Sequence, residues 1–417
     1  MHPSQETRAV GRLVGDALAG GAGVVRGVHG AVSRRVFAAV GPSGRPVQVA
    51  HDAVAGGVYG LVRGAQAAVP RVAAGMAAGV VTQTAAAGSN SLADSAPGRV
   101  VLGAVNGLWG DTLARRYPEL AVRMTLRSGG RAVPATPASL AASYPAATGR
   151  IAVFAHGLCE SEDSWWRTER RPDGDRRTSF GARLADDLGY TPVYLRYNTG
   201  LHVSANGREL AALLEDLVAG WPAPVHRLAL VGHSMGGLVA RGACHYGRLG
   251  GHGWTGLVRH VFCLGSPHLG APLEQGVNLM SWLLARVPET RPLAGVLNLR
   301  SVGVKDLRFG SCVEDDWRDA DPDEFLRDRC TEVPFLPDAA YYFVGATVTR
   351  DPRHPIGRLV GDLMVRLPSA SGRGRRRRIP FDVGHGAQLG GLHHLDLLSH
   401  PAVYHQLHAW MSSAGGP

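Results

Sequence analysis

The feature that most constrains the fold is the sequence Leu-Val-Gly-His-Ser-Met-Gly-Gly at residues 230–237 of this 417-residue chain. An apolar run at 227–231 predicts a buried strand directly before it, and residues 237–246 predict a helix directly after it. Such a sharp strand-to-helix turn places Ser234 in a strained backbone conformation that projects its hydroxyl. Side chains two residues away would collide, which explains Gly232 and Gly236. The pattern Gly-x-Ser-x-Gly in this setting predicts a nucleophilic Ser234.

Strands and helices alternate from about residue 120 onward. A hairpin is predicted at 121–127 and 131–134, further strands at 150–155, 191–197, 258–264 and 341–348, and helices at 204–219 and 402–411. Because the strand segments are apolar on both faces, the pattern predicts an α/β fold with a mostly parallel sheet covered by helices on both faces.

The first 118 residues have a different composition, dominated by Ala, Gly and Val with recurring Arg. Apolar residues at helical spacing predict an N-terminal segment of small-residue helices, first at 10–18 and again at 54–62, with breaks at 41–44 and Pro70. We therefore predict a helical region at 1–118 and a catalytic domain at 119–415 with a lid or cap insertion at about 273–337. The helices either pack on each other or on the catalytic domain, or contact a membrane surface peripherally.

The net charge and the targeting signals of the chain indicate which binding partners and which cellular location to expect. The formal net charge is +10, and an Arg-rich tract at Arg373–Arg378 is either a solvated loop or a contact for anionic lipid head groups. Few aromatic residues accompany it, so nucleic-acid binding is not expected. The start of the chain lacks a signal-peptide pattern, and the most apolar segment, 72–93, is too polar for a membrane span. We expect a cytoplasmic protein, peripheral to the membrane at most.

Five cysteines fit no zinc pattern, and no Gly-rich phosphate loop is present, so no metal and no cofactor are expected. Cys312 and Cys330 flank an acidic segment and could pair, although reduced thiols are expected inside a cell.

Other segments carry a family resemblance. Phe154-Ala-His-Gly-Leu158 follows a predicted strand, Gly-Ser-Pro-His-Leu-Gly at 265–270 follows another, and Leu-His-His-Leu-Asp-Leu-Leu at 392–398 precedes the last helix. With the Ser234 turn, residues 120–412 resemble the lipase and esterase group of the α/β-hydrolase superfamily, which includes triacylglycerol lipases and relatives of GPI-inositol deacylase. The resemblance implies an α/β-hydrolase fold.

The same resemblance implies an oxyanion hole formed by the backbone N–H groups of Leu158 and Met235. It implies that the site is shaped by His156, Gly157, Gly232, His233, Gly236 and His268, the last of which lines the acyl pocket or only supports its loop. His394 is the implied base, with His393 and His385 as alternatives and His400 as a helix-start residue. Asp362 is the implied acid, with Asp351 as the alternative.

The implied activity is hydrolysis of carboxylic esters, of lipid or other hydrophobic acyl groups, through a Ser-His-Asp triad and an acyl-enzyme. One alternative is acyl transfer to an alcohol or thiol by the same nucleophile. The other is a non-enzymatic, membrane-associated scaffold on a hydrolase frame.

Overall fold

The computed structural model describes residues 3–40, 45, 48–49, 51–52, 55–56, 93, 95–166 and 179–413. Most of the predicted helical pattern at 54–62, the breaks at 41–44 and Pro70, and nearly all of the apolar segment at 72–93 lie outside the described residues.

The described strands are β1 (Thr125–Ser128), β2 (Arg131–Val133), β3 (Arg150–Ala155), β4 (Thr191–Arg196), β5 (Arg227–His233), β6 (Val258–Leu264), β7 (Ala340–Thr347) and β8 (Gly386–Gly390). The described α-helices are α1 (Pro3–Val40), α2 (Ala96–Arg116), α3 (Pro137–Ser143), α4 (Phe180–Leu188), α5 (Val203–Gly220), α6 (Met235–Leu249), α7 (Pro272–Ala285), α8 (Arg291–Asn298), α9 (Val302–Asp306), α10 (Pro355–Val360), α11 (Leu367–Ala370) and α12 (Pro401–Ser413). Short 3₁₀ turns occur at Glu162–Trp166, Gly253–Leu257, Glu314–Asp316 and His394–Leu398.

All eight strands form one sheet in the order β2-β1-β4-β3-β5-β6-β7-β8. β1 pairs antiparallel with β2 and β4, whereas β3 to β8 pair in parallel with their neighbours. The predicted α/β-hydrolase fold with a mostly parallel sheet is confirmed. In such a sheet the carboxyl ends of neighbouring parallel strands lie along one edge, where loops can bring side chains together.

The core occupies both faces of the sheet, which explains the uninterrupted apolar strands. In β3, Ile151 and Val153 pack into one buried cluster, and Ala152 and Phe154 pack into the other. β5 divides in the same way, so a polar side chain in the middle of either strand would be buried on whichever face it pointed to. This burial holds the turn after β5 on a rigid support.

The described backbone divides into two compact units. One comprises 103–111, 122–275 and 301–417, and it contains the sheet. The other comprises residues up to 102, 112–121 and 276–300, so most of α7 and all of α8 group with α1. Within it, Arg35 in α1 forms an ion pair with Glu289 at 2.9 Å, and Gly27 lies so close to Pro292 that a Cβ at Gly27 would be 2.9 Å from the Pro292 ring.

The predicted division at residue 118, with its insertion at 273–337, stays a prediction. No helix in the described part of the chain combines the length and apolar character needed to cross a bilayer.

Candidate active site

The turn between β5 and α6 has the geometry that its glycines predict. Ser234 has φ 52° and ψ −119°, a left-handed conformation that costs a non-glycine residue about 1–3 kcal/mol. A Cβ on Gly232 would be 2.3 Å from the Gly237 nitrogen, and one on Gly236 would be 2.3 Å from the Ala155 carbonyl oxygen. Only glycine fits at both places, and this close packing keeps Ser234 at the start of α6.

The loop after β3 lies against this serine. A Cβ on Gly157 would be 3.0 Å from the Ser234 Cβ, so the glycine allows the loop to approach the serine. Among the described residues, neither the Leu158 nor the Met235 backbone N–H donates a hydrogen bond to a protein acceptor. Both donors are therefore available to a bound group, as an oxyanion hole requires.

His156 supports that loop from beneath. Its ring is fully buried and stacks on Tyr197 at 4.4 Å, and its backbone carbonyl accepts a hydrogen bond from the Tyr197 hydroxyl at 2.6 Å. Burial lowers the pKa of His156 below the ordinary value, so the ring is neutral near pH 7. Its contacts hold the backbone and do not involve Ser234.

The structure brings His394 and Asp362 together from segments 32 residues apart. Asp362 Oδ2 lies 2.7 Å from His394 Nδ1, and the two residues are only 1% and 6% exposed. The backbone N–H groups of Met364 and Val365 donate to Asp362 Oδ1 at 3.0 and 2.8 Å. The carboxylate is thus held by two backbone donors while its other oxygen faces the imidazole.

The His394 ring packs on Gly265, the residue after β6. A Cβ on Gly265 would be 3.1 Å from His394 Cε1, so the positive φ of 61° and the missing side chain both serve this packing. His394 Nε2 is buried and has no hydrogen-bond partner among the described residues. One ring nitrogen is therefore fixed by Asp362, and the other is left for a group that enters the site.

Glu160 lies in the loop after β3 and belongs to none of the sequence motifs. Its carboxylate accepts a hydrogen bond from the Gly157 N–H at 2.9 Å and pairs with His233 Nδ1 at 3.1 Å. His233 is fully buried, and its Nε2 lies 3.1 Å from the His394 carbonyl oxygen. No sequence pattern indicated this contact, because Glu160 and His233 are 73 residues apart.

The pKa values of this pair move in opposite directions. Burial alone would raise the pKa of Glu160, but the charge and hydrogen bond of His233 and the Gly157 N–H lower it to about 2. Burial alone would lower the pKa of His233, but the Glu160 carboxylate raises it above the ordinary value.

The alternative base and acid residues lie elsewhere. His393 is exposed, His385 packs on Tyr342 at 4.4 Å, and His400 Nδ1 accepts the Ala402 N–H at the start of α12. Asp351 is exposed and accepts the N–H of the residue two positions later. None of these residues contacts Asp362 or His394 among the interactions of the described chain.

The contacts of His268 distinguish between its two predicted roles. His268, predicted to line the acyl pocket or support its loop, is fully buried, with Nδ1 3.1 Å from an Arg241 nitrogen and its ring against Phe381. These contacts match the loop-supporting role.

In the Arg-rich tract, the Arg377 guanidinium turns inward and donates to the carbonyl oxygens of His268 and Phe309, so this residue is not available to a head group. Its neighbours Arg373, Arg375, Arg376 and Arg378 are exposed.

All five cysteines are free thiols, so the pairing considered for Cys312 and Cys330 does not occur. The described residues also contain no group of three or more His, Cys, Asp or Glu side chains arranged to hold a metal ion.

Comparison with known families agrees with this fold. Residues 147–322, less than half of the chain, match the family model described as the PGAP1-like alpha/beta domain. The matched segment contains Ser234, the loop at His156–Leu158 and the Glu160–His233 pair, and it ends before Asp362 and His394. The resemblance to the lipase and esterase group of α/β-hydrolases is confirmed.

Solved structures of bacterial lipases and esterases are similar at low identity. The lipase BlEst2 of Bacillus licheniformis in its mature form is 19% identical, with 63% of this chain and 91% of that chain covered and a TM-score of 0.40. For the Staphylococcus hyicus lipase the values are 13%, 64%, 96% and 0.36, and for EstA from Clostridium botulinum 12%, 65%, 89% and 0.37. No curated protein sequence matches this chain.

Proposed function

We propose that this protein hydrolyses carboxylic esters with hydrophobic acyl groups, using Ser234, His394 and Asp362 through an acyl-enzyme. The observation that carries the proposal is the 2.7 Å contact between His394 Nδ1 and a buried Asp362, with His394 Nε2 left unpartnered. An acid that orients one ring nitrogen, while the other remains free to accept a proton, is the arrangement that a serine nucleophile requires.

The first half-reaction forms the acyl-enzyme. Ser234 Oγ attacks the ester carbonyl carbon while His394 Nε2 takes its proton, and the oxyanion accepts hydrogen bonds from the Leu158 and Met235 N–H groups. Asp362 accepts a hydrogen bond from His394 Nδ1–H and stabilises the imidazolium. Collapse breaks the carbon–oxygen bond of the ester, and His394 returns its proton to the departing alkoxide.

The second half-reaction regenerates the serine. His394 Nε2 takes a proton from water, the hydroxide oxygen attacks the acyl carbon, and a second oxyanion forms in the same hole. The Ser234–acyl bond then breaks, Ser234 Oγ receives the proton from His394, and the carboxylic acid leaves. The N-terminus of α6 points its free amides at the reaction centre, which favours the negative charge of both intermediates.

The surface beside the acid and the base supports an apolar substrate. Leu363 and Met364, directly after Asp362, are 59% and 41% exposed, and Leu395, directly after His394, is 41% exposed. Large exposed apolar side chains on a soluble domain mark surfaces that bind apolar partners or ligands. These side chains support hydrophobic acyl esters, in preference to small polar esters, as the proposed substrates.

The test is pre-steady-state hydrolysis of p-nitrophenyl esters of graded acyl length. We expect a burst of p-nitrophenol close to one equivalent per protein, a matching acyl adduct in the intact mass, and higher kcat/KM for longer acyl chains. The Ser234→Ala variant, folded by circular dichroism, should give neither burst nor adduct. Wild-type protein without a burst or turnover on any chain length would refute the proposal.

The same reaction separates hydrolysis from acyl transfer. Added alcohols or thiols compete with water for the acyl-enzyme, and the ratio of new ester to free acid measures the preference. Predominant free acid at millimolar acceptor supports the hydrolase, and predominant transfer product contradicts it.

A further inference from the structure

The Glu160–His233 pair connects three parts of the candidate site. Glu160 accepts the N–H of Gly157 in the loop that carries Leu158, and it contacts the ring of His233, which directly precedes Ser234. The other nitrogen of that ring reaches the backbone carbonyl of His394. A single chain of hydrogen bonds thus connects the proposed oxyanion loop, the nucleophile turn and the proposed base.

The acceptors around His233 determine its protonation. His233 Nε2 faces a carbonyl oxygen at 3.1 Å, and Nδ1 faces the Glu160 carboxylate at 3.1 Å. Glu160 also accepts the Gly157 N–H, and its pKa of about 2 keeps it ionised near neutral pH. A carbonyl oxygen and an ionised carboxylate can only accept hydrogen bonds, so both ring nitrogens must donate for both contacts to be satisfied. A ring that donates from both nitrogens is an imidazolium, and the buried pair is therefore an ion pair.

Several other groups face the Glu160–His233 pair. The His394 ring lies 4.7 Å from the His233 ring between centroids, and the Asp362 carboxylate also acts on the charge of His233. His156 lies on the Glu160 side, and its lowered pKa keeps it neutral. The Trp165 ring meets the His233 ring edge-on at 6.5 Å.

A buried carboxylate beside an oxyanion site would oppose the developing negative charge unless a cation neutralised it. His233 provides that cation.

We propose that Glu160 is a positioning residue. It fixes the Leu158 loop directly through the Gly157 N–H, and it holds His233 as an imidazolium that fixes the His394 backbone relative to Ser234. The inference rests on the proposed ester hydrolysis for its effect on rate, but the charge state of the pair can be measured without any activity. Its closest structural contrast is Glu162, a fully buried carboxylate two residues away that pairs with Arg127 and Arg196 and not with the site.

Glu160→Gln is the sharpest variant, because it removes charge and keeps shape. The amide oxygen can still accept the Gly157 N–H, and the amide nitrogen can donate to His233 Nδ1, which leaves a neutral ring that donates only from Nε2. The hydrogen-bond chain survives in this variant while the ion pair is lost. The fold is therefore expected to persist, and any loss of function reports the charge and the exact placement of the loop.

Two readouts test the proposal. In ¹⁵N-histidine NMR spectra at about pH 8, well above the ordinary histidine pKa of about 6.5, His233 should show two protonated ring nitrogens in the wild type and one in Glu160→Gln. The signal is assigned by its loss in His233→Asn. In Glu160→Gln, neutral hydrogen bonds replace the stronger charge-assisted ones, so the loop and the base are held less exactly. The rate of Ser234 labelling by a fluorophosphonate and kcat/KM for an ester should therefore fall roughly 10- to 100-fold, mainly through kcat, because placement near the reacting atoms is felt in the transition state.

Two further variants give the controls. Glu162→Gln should lower the Tm yet leave the labelling rate and the His233 spectrum unchanged, which separates a positioning effect from general loss of stability. If the two residues act as one unit, Glu160→Gln combined with His233→Asn should lose little more rate than either variant alone.

The failures are distinguishable. A neutral His233 in the wild type at about pH 8, or a Glu160→Gln variant with wild-type labelling rate, overturns the inference and leaves the proposed function intact. A wild-type Ser234 that neither labels nor turns over ester overturns the proposed function, and the NMR spectrum still decides the charge of the pair.

Discussion

Replacement of Asp362 by asparagine tests the proposed triad, because it changes which ring nitrogen of His394 carries the proton. Asp362 Oδ1 is held by the N–H groups of Met364 and Val365, so in Asp362→Asn the amide oxygen takes that place and the amide nitrogen must face His394 Nδ1. An NH₂ group at about the 2.7 Å of the present contact donates to Nδ1, which moves the ring proton to Nε2. A protonated Nε2 cannot accept the Ser234 proton.

The expected loss follows from that tautomer. The wrong tautomer together with the missing imidazolium stabilisation lowers kcat by roughly 10⁴-fold, which at about 1.4 kcal/mol per factor of ten is about 5.5 kcal/mol of barrier. The fold should persist, because the backbone donors keep an acceptor. The assay is kcat and KM on a p-nitrophenyl ester together with a thermal melt.

The matched control is Asp351→Asn, the alternative acid. Asp351 is exposed, and its carboxylate accepts the Arg353 N–H in the loop after β7, so we expect kcat within about twofold of wild type and a small change in Tm. Asp362→Asn activity within tenfold of wild type, or a large loss in Asp351→Asn instead, would refute the assignment.

Three more predictions follow from the packing, the ion pair and the thiols. Gly236→Ala should fail to fold or lose several kcal/mol of stability, because its Cβ would be 2.3 Å from a backbone carbonyl oxygen, whereas Gly256→Ala, with nothing within 4 Å of its Cβ, should melt like the wild type. The lowered pKa of Glu160 contributes stability that is present above about pH 4.5 and lost as pH falls towards 2. The raised pKa of His233 contributes stability that is present at low pH and lost as the pH rises through that raised pKa. The free energy of unfolding in urea should therefore change less with pH in Glu160→Gln than in the wild type, and an identical pH dependence in the two proteins would contradict the ion pair. Unreduced, denatured protein should react with five equivalents of Ellman's reagent, and three equivalents would indicate a Cys312–Cys330 disulfide.

Local pattern was enough to predict the sheet where it is buried on both faces. The strands at 150–155 and 258–264 were predicted to the residue, and that at 341–348 within one residue, because apolar strands between two covering layers leave a strong signal. β8 was missed, since Gly-Ala-Gln-Leu-Gly at 386–390 carries no β-branched or aromatic residue and only pairing with β7 makes it a strand.

In the candidate site too, features set by local sequence were predictable, and features set by distant contacts were not. The glycines around Ser234 were predictable because a sharp turn excludes every other residue locally. The Glu160–His233 pair and the inward turn of Arg377 were not, since each depends on partners at least 68 residues away, which no local pattern encodes. The grouping of 276–300 with α1 likewise depends on tertiary contacts such as Arg35 with Glu289.

The role of Ser234 is tested most directly by covalent labelling of the full chain with a fluorophosphonate, followed by peptide mass mapping. We expect one adduct per protein, located on Ser234, absent from Ser234→Ala and formed much more slowly in Asp362→Asn. A folded wild-type protein that takes up no label, or takes it up at another residue, would contradict the central claim that Ser234 is an activated nucleophile.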